Sequence, residues 1–483
     1  MVVEPVTLQR LAAIAAGTVV GNGAVTVDDV THDSRAAGPG VLFVAVPGAR
    51  ADGHEFVPAA VAAGSPAVCI TAGHTATVPA IVVTDTRGAL APLAAEVHGR
   101  PADRLRLVGV TGTNGKTTVT HIVESICTAA GIPAAVAGTV GARIRGRALP
   151  MERTTPEAPD FQRLLRAMVE AGVDVAAVEV SSHALTLGRV AATRFRVGAF
   201  TNLSQDHLDF HGDMTAYEAA KATLFASCEQ AVIWIDDAAG DRIAAAAAIP
   251  VVRVGTGADA ELVVRTLAAD FGGSEFTLSG PGFEWRLRVP LPGDFNVANA
   301  AVAAACAWVL GIAPEAITAG VSGVSGVPGR FELVPNRRGL TVAVDYAHTP
   351  DGIAAVIAAA GRIQAGRGRV IAVVGAGGDR DRAKRPLMGA AACAADLAVL
   401  TTDNPRLERP EDILAEVVAG IMPGAEVIVE LDRRRAIRRA IEAARPGDAV
   451  LILGKGHEQT QDFGNRVIPF DDRRVAAEEA DRS

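Results

Sequence analysis

Thr111-Gly112-Thr113-Asn114-Gly115-Lys116-Thr117-Thr118 brings together the residue types that hold phosphate. Glycines allow a tight turn whose backbone N–H groups point at an anion, and a following helix start adds partial positive charge. Lys116 can then reach β- and γ-phosphates, and the Thr117 hydroxyl can meet magnesium. The run departs from the strict phosphate-loop pattern, which would put glycine at Val110. Farther on, Glu179-Val180-Ser181-Ser182-His183 and Asn202-Leu203-Ser204-Gln205-Asp206-His207-Leu208-Asp209 each follow an apolar run. Glu179 offers the hard oxygen that magnesium prefers, and His207 is a less usual donor for it. The chain contains four lysines, Lys116, Lys221, Lys384 and Lys455, against 42 arginines. Lysine is a compact amine and arginine a planar fork, so lysines retained in an arginine-rich chain mark candidate sites.

Elements that could position these groups follow from hydrophobic patterning. A strand over 105–110 and a helix over 117–130 flank the loop, with further strands predicted at 173–180, 196–203 and 231–236. A second series, 340–346, 369–375, 396–402, 425–431 and 448–453, alternates with helical segments. Such alternation is the mark of an α/β fold built on mostly parallel sheets, where strand ends converge on the ligand. A turn-rich linker is expected at 323–329, and a smaller α/β unit before about residue 101 carries Asp33-Ser34-Arg35. The arginine-dense start at 433–439 reads as a solvated helix face.

A length of 483 residues allows about three domains, and 49% apolar residues can build their cores. A net charge of -8 argues against nucleic acid as a partner. Cys69, Cys127, Cys228, Cys306 and Cys393 lack CxxC spacing, which fits a reducing cytoplasm better than a disulfide framework or zinc site. The first 16 residues carry Glu4 and Arg10 and no basic leader, and no apolar run is long enough for membrane insertion.

Taken together, these motifs closely resemble the Mur ligases, cytoplasmic ATP-dependent amide-forming enzymes of peptidoglycan precursor synthesis, over nearly the whole chain. The resemblance implies three domains: a UDP-binding unit at 1–103, a central P-loop parallel-sheet ATPase at 104–328, and a Rossmann-like amino-acid-binding domain at 329–483. Tyr217-Glu218-Ala219-Ala220-Lys221 matches the family lysine that carbon dioxide converts to a carbamate, an anion able to hold magnesium. By the same match, Thr117, Glu179, His207 and Lys221 form the metal set. Gly112 to Thr118 with Asn296, Asn299, Arg330, Asp345 and His348 bind ATP.

Within the family, Asp403-Asn404-Pro405-Arg406 resembles the tetrapeptide of members that add meso-diaminopimelate to UDP-N-acetylmuramoyl-L-alanyl-D-glutamate. A second carboxylate on the incoming amino acid asks for a bidentate arginine such as Arg406. The match assigns the α-carboxylate to Arg385 and the distal ammonium to Gly454 and Glu458. It leaves open whether Lys384 and Lys455 touch substrate or position loops. Ser34 is matched to the UDP contacts, and Thr154, Thr155, Ser181 and Arg189 to the muramoyl-peptide contacts. Leu187 stands where some relatives carry a polar contact, and Arg409 where an acid is common. A monomer is expected. Lysine-adding relatives are the main alternative; folylpolyglutamate synthase and a non-enzymatic nucleotide-binding module are the others.

Overall fold

The computed structural model describes residues 4–48 and 51–482, so the first three residues of the segment read for a leader lie outside it. The N-terminal unit is a five-stranded sheet ordered Thr18–Val20, Ala80–Val83, Ala67–Thr71, Val41–Val44 and Asp29–Thr31. All its pairings are parallel except the first.

The central sheet has eleven strands. In its middle, Arg106–Thr111 lies between Val175–Glu179 and Phe195–Phe200, parallel to both. Val175–Glu179 is buried at every position, as a strand covered on both faces by helices must be. That arrangement brings the phosphate loop, Glu179 and the segment from Asn202 onward to adjacent strand ends. The helix Lys116–Ala129 packs on Asp294–Val309 and Pro314–Ser322. Alanines 300, 301, 303, 304, 305 and 307 of the second helix are fully buried, and their small side chains let it lie close to its neighbours.

The C-terminal sheet runs Glu332–Leu333, Thr341–Asp345, Ala449–Leu453, Val370–Ala376, Leu397–Thr402 and Val427–Val429. All but the first pairing are parallel. His348, Gly454, Gly377 and Asp403 therefore follow the carboxyl ends of neighbouring strands. The predicted strands all form, with bounds shifted by up to three residues, and 425–431 shortens to Val427–Val429.

Two expectations need correction. Three long strands absent from the predicted set, Leu262–Asp270, Gly273–Gly280 and Phe283–Val289, extend one edge of the central sheet. Leu262–Asp270 is exposed over its last six residues, and the other two strands alternate between buried and partly or fully exposed positions, so none offers a continuous apolar run to detect. The arginine-rich helix Arg433–Ala443 is not a purely solvated face. Arg433 is buried and pairs in two-pronged fashion with Asp472 at 2.8 and 2.6 Å, while Arg434 and Arg438 hold Glu479.

His121, on the helix after the phosphate loop, supplies a pH prediction. Burial, then Arg143, Arg330 and His457, push its pKa from 6.5 down to about 3. The unfolded chain thus takes up a proton that the folded one refuses, and stability is lost as pH falls from 6.5 toward 3. At pH 5 the loss from this group is about 2 kcal/mol. Urea unfolding at pH 7 and pH 5 should show it, and His121→Leu should narrow the gap between the two midpoints.

Candidate active site

Both sets of parallel strands point their carboxyl ends into one cavity of about 660 Å³. Its central-domain wall includes residues 113–118, Thr154, Glu179, Ser181, His207, Asn296 and Asn299; the C-terminal wall includes Arg330, Asp345, His348, Asp403, Asn404, Arg406, Gly454 and Glu458. Gly112, Thr155, Arg189, Lys221 and Arg385 stand outside that wall, and Ser34 belongs to the separate N-terminal unit.

The phosphate loop is braced from the next strand's end. Thr113 N donates to the Asn202 carbonyl at 2.8 Å, Asn114 N to Asn202 Oδ1 at 2.9 Å, and Thr201 Oγ1 to the Asn114 carbonyl at 2.6 Å. Gly112 and Gly115 sit at φ of +142° and +89°. A side chain at Gly112 would run into Thr201 Oγ1, and one at Gly115 into Asn299 Oδ1. Asn299 thus closes the loop from behind, with its Nδ2 directed to Asn296 Oδ1 at 3.4 Å.

Two of the four lysines meet at one carbonyl. Lys116 Nζ donates to Gly112 and Thr113, both at 2.8 Å, and Lys221 Nζ donates to Gly112 at 2.8 Å. Lys221 is fully buried, with its amine 4.3 Å from the Tyr217 ring centre. Burial, then the charge of Lys116, hold its pKa well below the usual lysine value. A neutral amine is the form that attacks carbon dioxide. Lys116 is also pushed down by burial, against which Glu179 and Asp206 act.

Glu179 accepts from Thr139 N and Thr139 Oγ1, each at 2.9 Å, and Thr139 Oγ1 lies 3.0 Å from Thr154 Oγ1. Thr155 Oγ1 donates to the Glu179 carbonyl at 2.8 Å and accepts from Ser181 N at 3.1 Å. Arg189 reaches the Thr155 carbonyl at 3.2 Å, so it steadies this strand end from outside the cavity. Thr117 Oγ1 accepts from Arg330 Nη2 at 2.9 Å, and the same guanidinium stacks over Tyr346. Asp345 caps the turn that carries Arg330, accepting from Phe331 N and Ala347 N at 2.7 Å each. Burial outweighs these bonds and raises its pKa.

His207 adopts a left-handed backbone at φ +56°, and burial drives its pKa down to about 3. Its neighbour Asp206, to which the sequence motif attaches no role, is the electrostatic centre of the cavity. Asp206 lies 3.0 Å from Lys384 Nζ, 3.3 Å from His207 Nε2 and 3.6 Å from His348 Nε2. Two of those partners come from the C-terminal domain.

In the acceptor half, Arg406 also sits at positive φ, +52°, and donates to the Gly378 carbonyl at 2.6 Å. Lys455 is fully buried, donating to Asn404 Oδ1 at 3.0 Å and Glu458 Oε2 at 2.9 Å, while Asn404 Nδ2 also donates to Glu458 Oε2 at 2.7 Å. It thereby ties the tetrapeptide to the glutamate and does not itself line the cavity.

Arg385 requires a correction. It is buried and its terminal nitrogens are held within its own domain, with Nη1 and Nη2 on Glu408 at 2.9 and 2.6 Å and Nη1 on Glu416 at 2.8 Å, while Nε has no partner among the described residues. The exposed arginine of the same motif that lines the cavity is Arg380. Glu408, next to Arg409, also accepts from Asp379 N at 2.6 Å. In the N-terminal unit, Asp33 caps the turn Ser34–Ala36 and pairs with Arg35. His54 uses Nδ1 toward Asp52 at 2.6 Å and Nε2 as acceptor from Thr71 N at 3.1 Å.

Family models match three stretches of the chain: Mur ligase family, catalytic domain, at 26–98; Mur ligase middle domain at 110–307; and Mur ligase, glutamate ligase domain, at 329–456. A UDP-N-acetylmuramoyl-L-alanyl-D-glutamate–2,6-diaminopimelate ligase from Gloeobacter violaceus is 46% identical over 463 residues, covering 94% of each chain. A solved ligase of that same description superposes with a TM-score of 0.71 at 32% identity over 99% of each chain. The Mycobacterium tuberculosis folylpolyglutamate synthase bound to ADP and AMPPCP gives 0.59 at 22% identity and covers only 75% of this chain.

Proposed function

The chain belongs to the Mur ligase family, and from that premise we propose that it adds meso-diaminopimelate to UDP-N-acetylmuramoyl-L-alanyl-D-glutamate at the expense of ATP, as a cytoplasmic monomer. One observation carries the reading: the phosphate loop and the Asp403–Arg406 tetrapeptide line a single cavity. A phosphoryl donor and an amino acid held there can react through a shared intermediate.

The reaction has two steps. The D-glutamate carboxylate of the nucleotide dipeptide attacks the γ-phosphorus of ATP, releasing ADP and forming an acyl phosphate. The diaminopimelate amine then attacks the acyl carbon, and phosphate leaves as the amide forms. Negative charge grows on phosphoryl oxygens in the first step, and fixed cations in a water-poor cavity stabilise it best. Lys116 is that cation at the loop, with Arg330 across the domain junction. Asn296 and Asn299 hold the nucleoside end, and Asp345 and His348 set the far wall.

The donors present suit magnesium, since the Thr117 hydroxyl and Glu179 carboxylate are hard oxygens opening on one cavity, with His207 beside them. A Lys221 carbamate adds an anionic donor to that set. Bound there, magnesium supplies charge neutralisation to the phosphates.

For the acceptor, Arg380 and Arg406 are the guanidinium groups that meet carboxylates. Glu458 meets the distal ammonium through Oε1, because Lys455 and Asn404 both occupy Oε2. Thr154 and Ser181 face the muramoyl peptide, with Thr155 and Arg189 behind them, and Ser34 contacts the UDP part.

ADP release on the nucleotide dipeptide, measured against a panel of diamines, tests this reading. Diaminopimelate should support turnover at least tenfold better than lysine. Equal or better use of lysine would reassign the acceptor. No turnover with any diamine would remove the ligase reading.

A further inference from the structure

Lys384 and Arg385 are consecutive residues in the first turn of the helix Lys384–Ala392, yet they serve opposite sides. Arg385 turns into its own domain, where Glu408, Glu416 and the Gly377 carbonyl take the donors of its Nη1 and Nη2. It thereby joins the 377–382 loop, which carries Arg380, to the segment after Arg406. Lys384 turns out of the domain and donates to Asp206 Oδ1 at 3.0 Å. Side-chain exposures of 9% and 6% make this a buried ion pair between two domains, 178 residues apart in sequence.

The pairing also explains why lysine survives here in an arginine-rich chain. Oδ1 already accepts from His207 N at 3.1 Å, and Oδ2 faces His207 and His348. One oxygen lobe remains, which a point charge fills fully and a planar fork can meet with only one of its prongs. Removing one partner of such a pair leaves the other charge buried and unpaired, at a large cost. The joined arrangement is therefore favoured only while both are present.

Resting on the ligase reading above, we infer that Lys384 is a positioning residue for amide formation: through Asp206 it sets the amino-acid pocket against the phosphoryl-transfer centre. The helix start passes the placement of Arg380 and Arg406 directly to the residue beside His207. Neither Lys384 nor Asp206 needs to touch the reacting atoms.

Lys384→Met, Lys384→Arg and Asp206→Asn test the assignment in the full-length protein, by steady-state kinetics and by the distance between spin labels on the central and C-terminal domains with an ATP analogue bound. The methionine variant should lose about 100-fold in kcat for amide formation. Its KM for ATP should stay within about twofold, and its interdomain distance should lengthen and broaden. Arginine, which restores the charge, should recover part of the rate. If methionine matches or exceeds arginine, the role is packing by the aliphatic stem and the inference falls. Wild-type rate and distance in the methionine variant overturn it as well. Should that variant not fold, Asp206→Asn carries the test with the same two readouts. Because the distance needs no acceptor substrate, a wild-type protein inactive on every diamine would defeat the ligase reading while the distance still judged Lys384.

Discussion

Lys116→Ala should abolish substrate-dependent ADP release, with a loss of at least about 10²- to 10³-fold in kcat, the range for removing one preorganised stabiliser of transition-state charge. Its amine is fixed by two carbonyls of its own loop, Gly112 and Thr113, at the place where phosphoryl oxygens gather charge. Arg330 cannot substitute, since it is held by Thr117 Oγ1 and the Tyr346 ring. Lys116→Arg should be nearly as poor, because a fork cannot enter a cradle shaped by two adjacent carbonyls. Nucleotide affinity should fall less than rate, since the loop's backbone N–H groups remain. A Lys116→Ala enzyme releasing ADP at the normal rate would refute the mechanism.

Lys221→Ala should be similarly inactive and, unlike Lys116→Ala, should regain activity with millimolar formate or acetate. The argument is chemical. An ordinary lysine is protonated at neutral pH and cannot attack carbon dioxide. Burial and the neighbouring Lys116 push Lys221 down toward the neutral form. The carbamate retains one N–H, so the bond to Gly112 survives modification. The free amine is lost as pH falls through that lowered pKa, so activity should fall on the acid side and be partly restored by added bicarbonate. Lys221→Arg should remain dead with or without carboxylic acids, because guanidinium stays charged and fills the space. Failure of every short carboxylic acid to rescue the alanine variant would count against the carbamate.

Much of the site was legible because its information is local. Gly112 and Gly115 announce a backbone turn, Lys116 and Thr117 follow in fixed order, and Glu179 and His207 each trail an apolar strand. A phosphate cradle is built from consecutive residues, so consecutive letters can declare it. Parallel strands buried on both faces read as plain apolar runs, which is why the parallel strands of the central and C-terminal sheets are legible within a few residues. The edge strands from Leu262 to Val289 are not, because polar and partly exposed positions interrupt their apolar residues.

Choices among similar side chains were not local. The stretch from Asp379 to Arg385 contains Arg380, Arg382 and Arg385, and the sequence pointed to Arg385 for the incoming carboxylate. Glu408 and Glu416 arrive from elsewhere in the chain to hold its terminal nitrogens, leaving Arg380 on the cavity wall. Asp206 looked like one member of a motif until folding gathered Lys384, His207 and His348 around it.

The four lysines mark the division. Their rarity among arginines determined where to look, and for Lys116 the surrounding turn also determined what it does. For Lys221, Lys384 and Lys455, only the tertiary structure decided the partner: the Gly112 carbonyl, Asp206, and Asn404 with Glu458. An amine's chemistry depends on the charges and carbonyls within about 4 Å, through desolvation and Coulomb terms that fall off over that range. Those neighbours come from distant parts of the chain, and packing, not spacing, puts them there.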